Sequence, residues 1–435
     1  MSESEPASTG VTYVVSDLHL GGDEKLGDSE FVPELLEFLR RVRREDVDEI
    51  VVNGDAFGLW EMTEVDGVEA MDAIVESYPE VFEELERTAS EVDVTFLPGN
   101  HDHDLAAYPE VRERLSEFGL DVDVGPATRR EIGGVDVWLE HGCQQDPNNE
   151  IVDWGNRYVT PLGYYYNTRV TSKAGRLSEH GRYDWLADVQ AVTPTQRMPS
   201  WLASKYFYVE MHPLLRYAFI PFLLLFNVSL VLVVLSGLDV AGVWSLPAEF
   251  VEGAFGFFGR VGETAYLLLY VNLVVVALLT LAFVPVALIV RDIRRTVERF
   301  GLFEDPLTVD PTEPYEEYAR ELFESEDVDV FCFGHTHRPK VDDVDGGLLV
   351  NSGTWLKRLH RRDVVAGRLP PVYYPSYEMA AVRLSPHADG LSVEFVEVDK
   401  PSPAPQELTL TERLLTLGRK PSPELPDDVV VSKES

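Results

Sequence analysis

Five short polar clusters contain the side chains best able to bind metals or move protons. They are SDLHL with Asp17 and His19, NGDAF with Asp55, GNHD with Asn100 and His101, LEHG with His141, and FGHTH with His335 and His337. Carboxylate and neutral imidazole ligands suit Mn, Fe or Zn better than Ca. Two such ions, about 3.5 to 4 Å apart, clamp a phosphate and convert a bridging water to hydroxide near neutral pH. The clusters therefore predict hydrolysis at phosphorus.

Each cluster ends an apolar run that predicts a buried strand. Ligands bind at the carboxyl ends of strands in open α/β sheets, which is where these side chains fall. Side chains two residues apart on a strand point the same way, so Asp17 pairs with His19 and His335 with His337. Strands are predicted at 11–17, 48–55, 92–97, 328–337, 347–355, 377–385 and 390–398, and helical stretches at 31–45 and 67–90.

In their order along the chain, the clusters resemble the motifs D-x-H, G-D, G-N-H-[DE], H and G-H-x-H of the calcineurin-like metallophosphoesterase family. The resemblance covers about 11–145 and 325–400, and it implies an α/β fold, a β-sandwich flanked by helices. It also implies two divalent ions, Mn2+ foremost with Fe or Zn as alternatives. One ion would be bound by Asp17, His19 and His337 and the other by Asn100, His141 and His335, with Asp55 bridging.

The same resemblance implies an acid catalyst. His101 would protonate the leaving oxygen, and Asp102 would hold its ring. Many family members read G-D-x-x-D, whereas this chain has Gly58 at the last position. The group that replaces that aspartate is left open.

Two uncharged apolar runs, 217–238 and 264–290, interrupt the globular sequence. Each exceeds the roughly 18 to 20 residues that a membrane-spanning helix requires. Four arginines lie in 291–299, directly after the second run, and such clusters mark a cytoplasmic flank. The pattern predicts a two-helix transmembrane hairpin in the cell membrane, with the catalytic domain and both termini cytoplasmic.

The hairpin divides the chain into five predicted parts. They are the first half of the catalytic domain (1–149), a helical insertion rich in aromatic residues and Arg (150–216), the hairpin (217–290), the second half of the catalytic domain (291–400), and an acidic, Pro-rich tail, a linker or disordered end (401–435). The insertion is interpreted either as a lipid-facing cap or as a helical subdomain with an aromatic core. As a cap it would bind substrate phosphates through Arg157, Arg169, Lys173, Arg176 and Arg182.

The stretches SDLHLGG, GDAFGLWE and GHTHRP are similar to the corresponding motifs in one branch of the family. That branch includes UDP-2,3-diacylglucosamine pyrophosphohydrolase, an enzyme of lipid A synthesis. The third motif of that branch commonly has Arg where His101 stands. The similarity implies a lipid-linked phosphate or pyrophosphate as substrate, in keeping with a membrane anchor. The alternatives are a membrane-tethered phosphodiesterase or protein phosphatase with a soluble substrate, and a non-catalytic metal-bound scaffold.

The amino-acid composition indicates the cellular environment and the kinds of partner that the chain would have. The formal net charge is −38, with 75 acidic and 37 basic residues, and its spread over the chain favours adaptation to a salt-rich (halophilic) cytosol over one acidic binding face. Nucleic acid is not expected as a partner, because phosphate contacts need clustered Lys and Arg. Cys143 and Cys332 are the two cysteines, and no secretory signal is expected from MSESEPASTG. The chain therefore fits a reducing compartment.

Overall fold

The computed structural model describes residues 10–22, 29–171, 184–192, 197–243, 253, 255–256, 258–298, 312–417 and 425–432. The strands are β1 Thr12–Val15, β2 Glu49–Asn53, β3 Asp93–Leu97, β4 Asp121–Val122, β5 Ala127–Ile132, β6 Val135–Glu140, β7 Val330–Phe333, β8 Lys340–Val344, β9 Gly347–Asn351, β10 Arg358–Arg362, β11 Val372–Ser376, β12 Ala380–His387, β13 Gly390–Glu397 and β14 Val429–Ser432. The α-helices are α1 Val32–Val42, α2 Gly67–Ser77, α3 Pro79–Ala89, α4 Asp104–Ala107, α5 Pro109–Ser116, α6 Leu162–Tyr166, α7 Met198–Lys205, α8 Pro213–Val240, α9 Gly259–Glu298, α10 Glu313–Glu326, α11 Ala404–Glu407 and α12 Leu410–Leu415.

The strands form two large sheets and one small one. The first sheet has the order β14-β13-β12-β1-β2-β3-β4, and β1 to β4 are parallel within it. The second has the order β5-β6-β7-β9-β8, and β6, β7 and β9 are parallel. Strands β10 and β11 pair only with each other. The predicted mixed α/β fold, sheets flanked by helices, is confirmed.

Alternate side chains of one strand belong to cores on opposite faces of the sheet. In β1, Val14 points into the core between the two large sheets, opposite Val137 and Val330. Its neighbours Tyr13 and Val15 point outward, to the core that the first sheet shares with α1. Successive strand side chains face opposite sides, so one apolar run serves two cores. Helix α10 covers the outer face of the second sheet, giving a helix–sheet–sheet–helix sandwich.

Most predicted elements occur close to their predicted bounds. Helix α1 buries Val32, Leu35 and Leu39, the three- and four-residue spacing of an amphipathic helix. The helical stretch predicted at 67–90 is two helices, because α3 begins at Pro79. Proline lacks the N–H that would continue α2, and it is well tolerated in a first helical turn.

The tail differs from its prediction as a linker or disordered end. Strand β14 pairs antiparallel with β13 and extends the first sheet. Helix α12 begins with a capping box between Thr409 and Glu412. The acidic, Pro-rich composition suggested disorder, but alternate Val residues in β14 supply an edge strand, and Val429 and Val431 pack on the inter-sheet core.

Both long apolar runs are helical, in α8 and α9. Among the described residues, one segment, Gly259–Leu281, is long and apolar enough to cross a membrane. Leu267 and Leu281 on it are more than half exposed. One such helix, judged on length and composition, is weak evidence for an anchor, so the two-helix hairpin and its orientation remain predictions.

Candidate metal centre

The five polar clusters lie at the carboxyl ends of parallel strands in both large sheets, and the structure brings them together there. Asp17 follows β1, Asp55 follows β2 and Asn100 follows β3. From the second sheet, His141 follows β6 and the His335–His337 pair follows β7. The structure thus brings together side chains more than 300 positions apart in the sequence.

Asp17, His19 and His337 form the first group of candidate ligands, with ligand atoms within 4.8 Å of one another. His337 Nε2 lies 3.1 Å from Asp17 Oδ1, and His19 Nε2 lies 3.9 Å from the same oxygen. Two imidazoles and one carboxylate are donors suited to Mn, Fe or Zn. This is the set predicted for the first ion.

Asp55, His141 and His335 form the second group. Asp55 Oδ2 lies 3.0 Å from His141 Nε2 and 3.6 Å from His19 Nε2, so this oxygen lies between the two groups. His335 Nδ1 is 3.3 Å from His141 Nε2. The position of Asp55 suits a ligand shared by two ions.

Several buried polar atoms at this site form no hydrogen bond with any residue that the structure describes. They are His19 Nε2, both side-chain amide atoms of Asn100, and Asp17 Oδ1, which lies 3.1 Å from His337 Nε2 but outside hydrogen-bond geometry. Leaving such groups unsatisfied costs about 1 to 3 kcal/mol each. Divalent ions at the two predicted positions would satisfy the three acceptor atoms Asp17 Oδ1, His19 Nε2 and Asn100 Oδ1, so the ligand set fits metal. Asn100 lies beside Asp55, because the N–H of His101 donates to Asp55 Oδ1 at 2.8 Å.

The backbone is strained at the same positions. Nine described non-glycine residues have positive φ, and five of them are predicted metal ligands: Asp17, His19, Asp55, His335 and His337. A non-glycine residue in this left-handed region costs of order 1 kcal/mol or more, and such residues cluster at functional sites. Here the strained positions coincide with the predicted metal ligands.

Two glycines of the motifs are explained by the close approach of ligand side chains to their Cα atoms. A Cβ on Gly99 would lie 2.2 Å from Asp55 Oδ1, and a Cβ on Gly54 would lie 2.4 Å from the His141 ring. Gly54 also has a φ of +84°. Any side chain at either position would occupy space that a ligand side chain fills.

Neighbouring groups orient two of the imidazoles. Asn53 O lies 3.1 Å from His141 Nδ1, so Nδ1 donates and Nε2 faces the site. Asp146 Oδ2 lies 3.2 Å from His335 Nε2, which leaves Nδ1 of His335 facing the site. Such partners fix tautomer and ring orientation. The sequence patterns did not identify Asp146, because it lies in a loop and belongs to no motif.

Glu61 is the carboxylate that contacts the His101 ring. Glu61 Oε1 lies 2.7 Å from His101 Nδ1, and both residues are largely buried. This corrects the role predicted for Asp102. The Asp102 carboxylate instead accepts backbone N–H groups, from Gly99 at 2.6 Å and Ala56 at 2.7 Å among others, and so ties the loop after β3 to the loop after β2.

Electrostatics couple the ring of His101 to this carboxylate. Burial alone would lower the pKa of His101, but Glu61 and Asp55 outweigh it and raise the pKa to about 9. Burial would raise the pKa of Glu61, yet His101 lowers it to about 2. The protein thus holds a protonated imidazole beside an ionised carboxylate.

His101 also lies within a third group of candidate ligands, with His19 and Asp55. Its ring is 4.5 Å from the ring of His19, centroid to centroid. The position suits either a proton donor to a group bound at the ions or a ligand of one of them.

Of the five residues predicted to bind substrate phosphates, two lie in the described part of the chain. Arg157 donates to Tyr158 Oη and its guanidinium lies over the Tyr108 ring. Arg169 lies over the Tyr165 ring, 5.7 Å from its centroid. Both are exposed. Lys173, Arg176 and Arg182 lie outside the described residues.

Comparison with known proteins identifies the class. Residues 11–233, about half of the chain, match the family model described as calcineurin-like phosphoesterase. The chain belongs to this family of metallophosphoesterases. The FGHTH cluster lies beyond the matched residues, and no curated protein sequence matches the chain.

Solved structures resemble the chain at low sequence identity. An archaeal phosphodiesterase is 9% identical, covers 89% of this chain and 99% of its own, and has a TM-score of 0.31. A dimetal phosphatase from Danio rerio is 12% identical over 90% of this chain and 97% of its own, with a TM-score of 0.34. A putative 5'-nucleotidase from Staphylococcus aureus is 13% identical over 94% of this chain and 57% of its own, with a TM-score of 0.31. Scores this low support no closer comparison.

Proposed function

We propose that the protein is a membrane-anchored phosphoesterase that uses two divalent ions, Mn2+ foremost, to hydrolyse a phosphate or pyrophosphate bond of a lipid-linked substrate at the cytoplasmic leaflet. Phosphoester hydrolysis follows from the family. The observation that carries the two-ion proposal is the position of Asp55 Oδ2 between His19 and His141.

The predicted ligand sets would hold the two ions: Asp17, His19 and His337 for one, Asn100, His141 and His335 for the other, with Asp55 shared. Bound there, the ions would polarise the phosphoryl group and supply the nucleophile at neutral pH. The chain itself provides the proton for the leaving oxygen. His101 is the donor, since Glu61 holds its Nδ1 and Nε2 is then the ring nitrogen that would face the reacting group.

The exposure of large apolar side chains supports the proposed membrane anchor. Large apolar side chains of α8 and α9 such as Val231 and Leu281 are more than half exposed, which is unfavourable in water. In the insertion, Tyr158 and Tyr206 are also exposed, and amphipathic rings settle at membrane interfaces. Trp201 and Tyr208, in contrast, are fully buried. The insertion therefore has a buried aromatic core together with exposed aromatic residues, and the exposed residues support its interpretation as a lipid-facing cap.

Substrate class is tested with detergent-extracted, Mn2+-loaded protein. The substrates are a phospholipid phosphate, a nucleotide-lipid diphosphate, the matching nucleotide diphosphate without lipid, and an aryl phosphodiester. We expect the lipid-bearing substrates to be hydrolysed with a much higher kcat/KM than their lipid-free counterparts. Equal rates with and without the lipid chain would favour the alternative, a tethered phosphodiesterase or protein phosphatase with a soluble substrate.

Topology is tested by labelling single cysteines in intact cells with an impermeant maleimide. Cys143 and Cys332 are buried, so little background labelling is expected. Ser245→Cys should be labelled from outside and Asp305→Cys should not. The reverse pattern would contradict the cytoplasmic assignment of the catalytic domain.

A further inference from the structure

Asn167 is a residue of the insertion that contacts the catalytic centre. It lies directly after α6 and is 7% exposed. Its Nδ2 lies 2.7 Å from Glu61 Oε1 and 3.3 Å from His101 Nδ1. A residue of the insertion therefore contacts both members of the proton-donating pair.

The hydrogen-bonding capacities of these groups determine the direction of each bond. His101 Nδ1 uses its proton to donate to Glu61 Oε1, so it has no lone pair to offer the amide of Asn167. The amide N–H of Asn167 donates instead to Glu61 Oε1. One carboxylate oxygen accepts two hydrogen bonds, one from the loop after β3 and one from the insertion, and this restricts rotation of the carboxylate.

Aromatic contacts seat the same part of the insertion over His101. The Trp60 ring lies 4.6 Å from the His101 ring, centroid to centroid, and Tyr164 of α6 meets Trp60 edge-on at 5.6 Å. Nearby, the N–H of Gly155 donates to His103 Nε2 at 2.9 Å. These contacts make Asn167 part of a docked surface, so its position depends on the seating of the insertion.

The far side of the insertion is anchored as well. Asp188 lies 2.7 Å from Lys357 Nζ, and both side chains are largely buried. Ser204 and Tyr208 donate to the carbonyls of Pro371 and Pro370, which both lie just before β11. The insertion is thus held against the second half of the catalytic domain, while Asn167 reaches the first half.

We propose that Asn167 is a positioning residue for proton delivery: its amide fixes the Glu61 carboxylate, which orients His101, so that acid catalysis is complete only when the insertion is docked. The proposal rests on the phosphoesterase function and names a residue outside the motifs that define the family. It predicts that substrates whose leaving groups need a proton depend on Asn167 and that metal binding does not.

The test compares Asn167→Asp and Asn167→Ala with the control Asn156→Ala. Asp is isosteric with Asn but replaces the donating amide by an acceptor facing Glu61, so packing is kept while the hydrogen bond is lost. The Asn156 amide donates within the insertion, to Asp153. We expect Asn167→Asp and Asn167→Ala to lower kcat on an alkyl phosphoester by about tenfold or more, the effect of one hydrogen bond to a charged group. Hydrolysis of p-nitrophenyl esters, metal content and the Asn156→Ala variant should stay close to wild type.

A readout independent of turnover separates this proposal from the proposed function. In protein labelled with 15N-histidine, the His101 Nδ1–H donated to Glu61 should give a downfield proton signal, assigned by its loss in His101→Ala. We expect this signal to broaden or shift in Asn167→Asp and to be unchanged in Asn156→Ala. An unchanged signal together with unchanged leaving-group dependence would overturn the role of Asn167, and so would loss of metal from the isosteric variant. A wild-type protein with the signal but no phosphoesterase activity would contradict the proposed function alone.

Discussion

Glu61 Oε1 lies 2.7 Å from Nδ1 of His101. The contact accounts for the departure of this chain from G-D-x-x-D at Gly58. A turn closed by the Glu61 N–H to Gly58 O, at 3.2 Å, carries the Glu61 side chain back over Gly58, where a Cβ would lie 3.2 Å from Glu61 Oε2. Glu61 thus occupies the space that a side chain at position 58 would have taken, and we infer that it replaces the missing carboxylate.

Glu61→Gln should slow hydrolysis of substrates with poor leaving groups. The variant keeps the size of the side chain but removes the charge that holds His101. A hydrogen bond between charged groups contributes about 1.5 to 3 kcal/mol, equivalent to roughly 10- to 100-fold in rate. Steady-state kinetics on an alkyl phosphoester, with metal content measured by mass spectrometry, check this. Glu69→Gln, on the exposed face of α2, is the matched control, and equal activity of the two variants would contradict the role of Glu61.

His101→Ala separates a proton donor from a metal ligand. If His101 delivers a proton, the variant keeps its metal and loses about 10² to 10⁴ in rate on poor leaving groups. A substrate that releases p-nitrophenolate needs little protonation and should show a much smaller loss. Equal losses on both substrates with metal retained would assign His101 to stabilising the phosphoryl oxygens. Loss of metal would make it a ligand, as its place in the group with His19 and Asp55 allows.

The sequence predicted the centre of the fold because its signals are local. An apolar strand followed by Asp55 or His141 needs only period-two alternation and a motif to be recognised. The grouping of ligands across two sheets, in contrast, came from the family resemblance, since spacing in the chain does not report which strand ends meet. The structure brings Asp17 and His337 within 3.1 Å, in agreement with that grouping.

Supporting residues were missed for a physical reason. Glu61, Asp146 and Asn167 act through single side-chain contacts made by loops or by the insertion, and no periodicity or spacing marks such contacts. The role of Asp102 was mistaken because adjacency to His101 suggested a contact between the two side chains. Backbone geometry turns the Asp102 carboxylate toward the N–H groups of the loop after β2 instead.

Asp55→Asn should impair metal binding more than His19→Asn does. Asp55 Oδ2 lies near ligands of both groups, whereas His19 is a predicted ligand of the first ion alone, in the group with Asp17 and His337. Replacing the shared carboxylate by an amide removes one negative charge between two cations and leaves one oxygen where there were two. We expect Asp55→Asn to lose bound metal from both positions and nearly all activity, and His19→Asn to keep part of the metal. Full activity and metal content in Asp55→Asn would rule out the shared-ligand arrangement.

Metal affinity should rise with pH because His141 must lose a proton to bind. Burial alone would lower the pKa of His141, but the adjacent Asp55 carboxylate outweighs it and raises the pKa to about 10. The raised pKa means that the metal-free folded protein holds this proton through neutral pH, and that its contribution to stability is lost as pH rises toward 10. A ligand imidazole must be neutral, so metal binding near pH 8 should release about one proton from this residue, and affinity should climb by up to about tenfold per pH unit. Calorimetry of Mn2+ binding in buffers of different ionisation enthalpy counts the released protons. His387→Asn, on the surface far along β12, should release the same number as wild type and His141→Asn fewer, whereas pH-independent affinity between pH 7 and 9 would show that His141 carries no such proton.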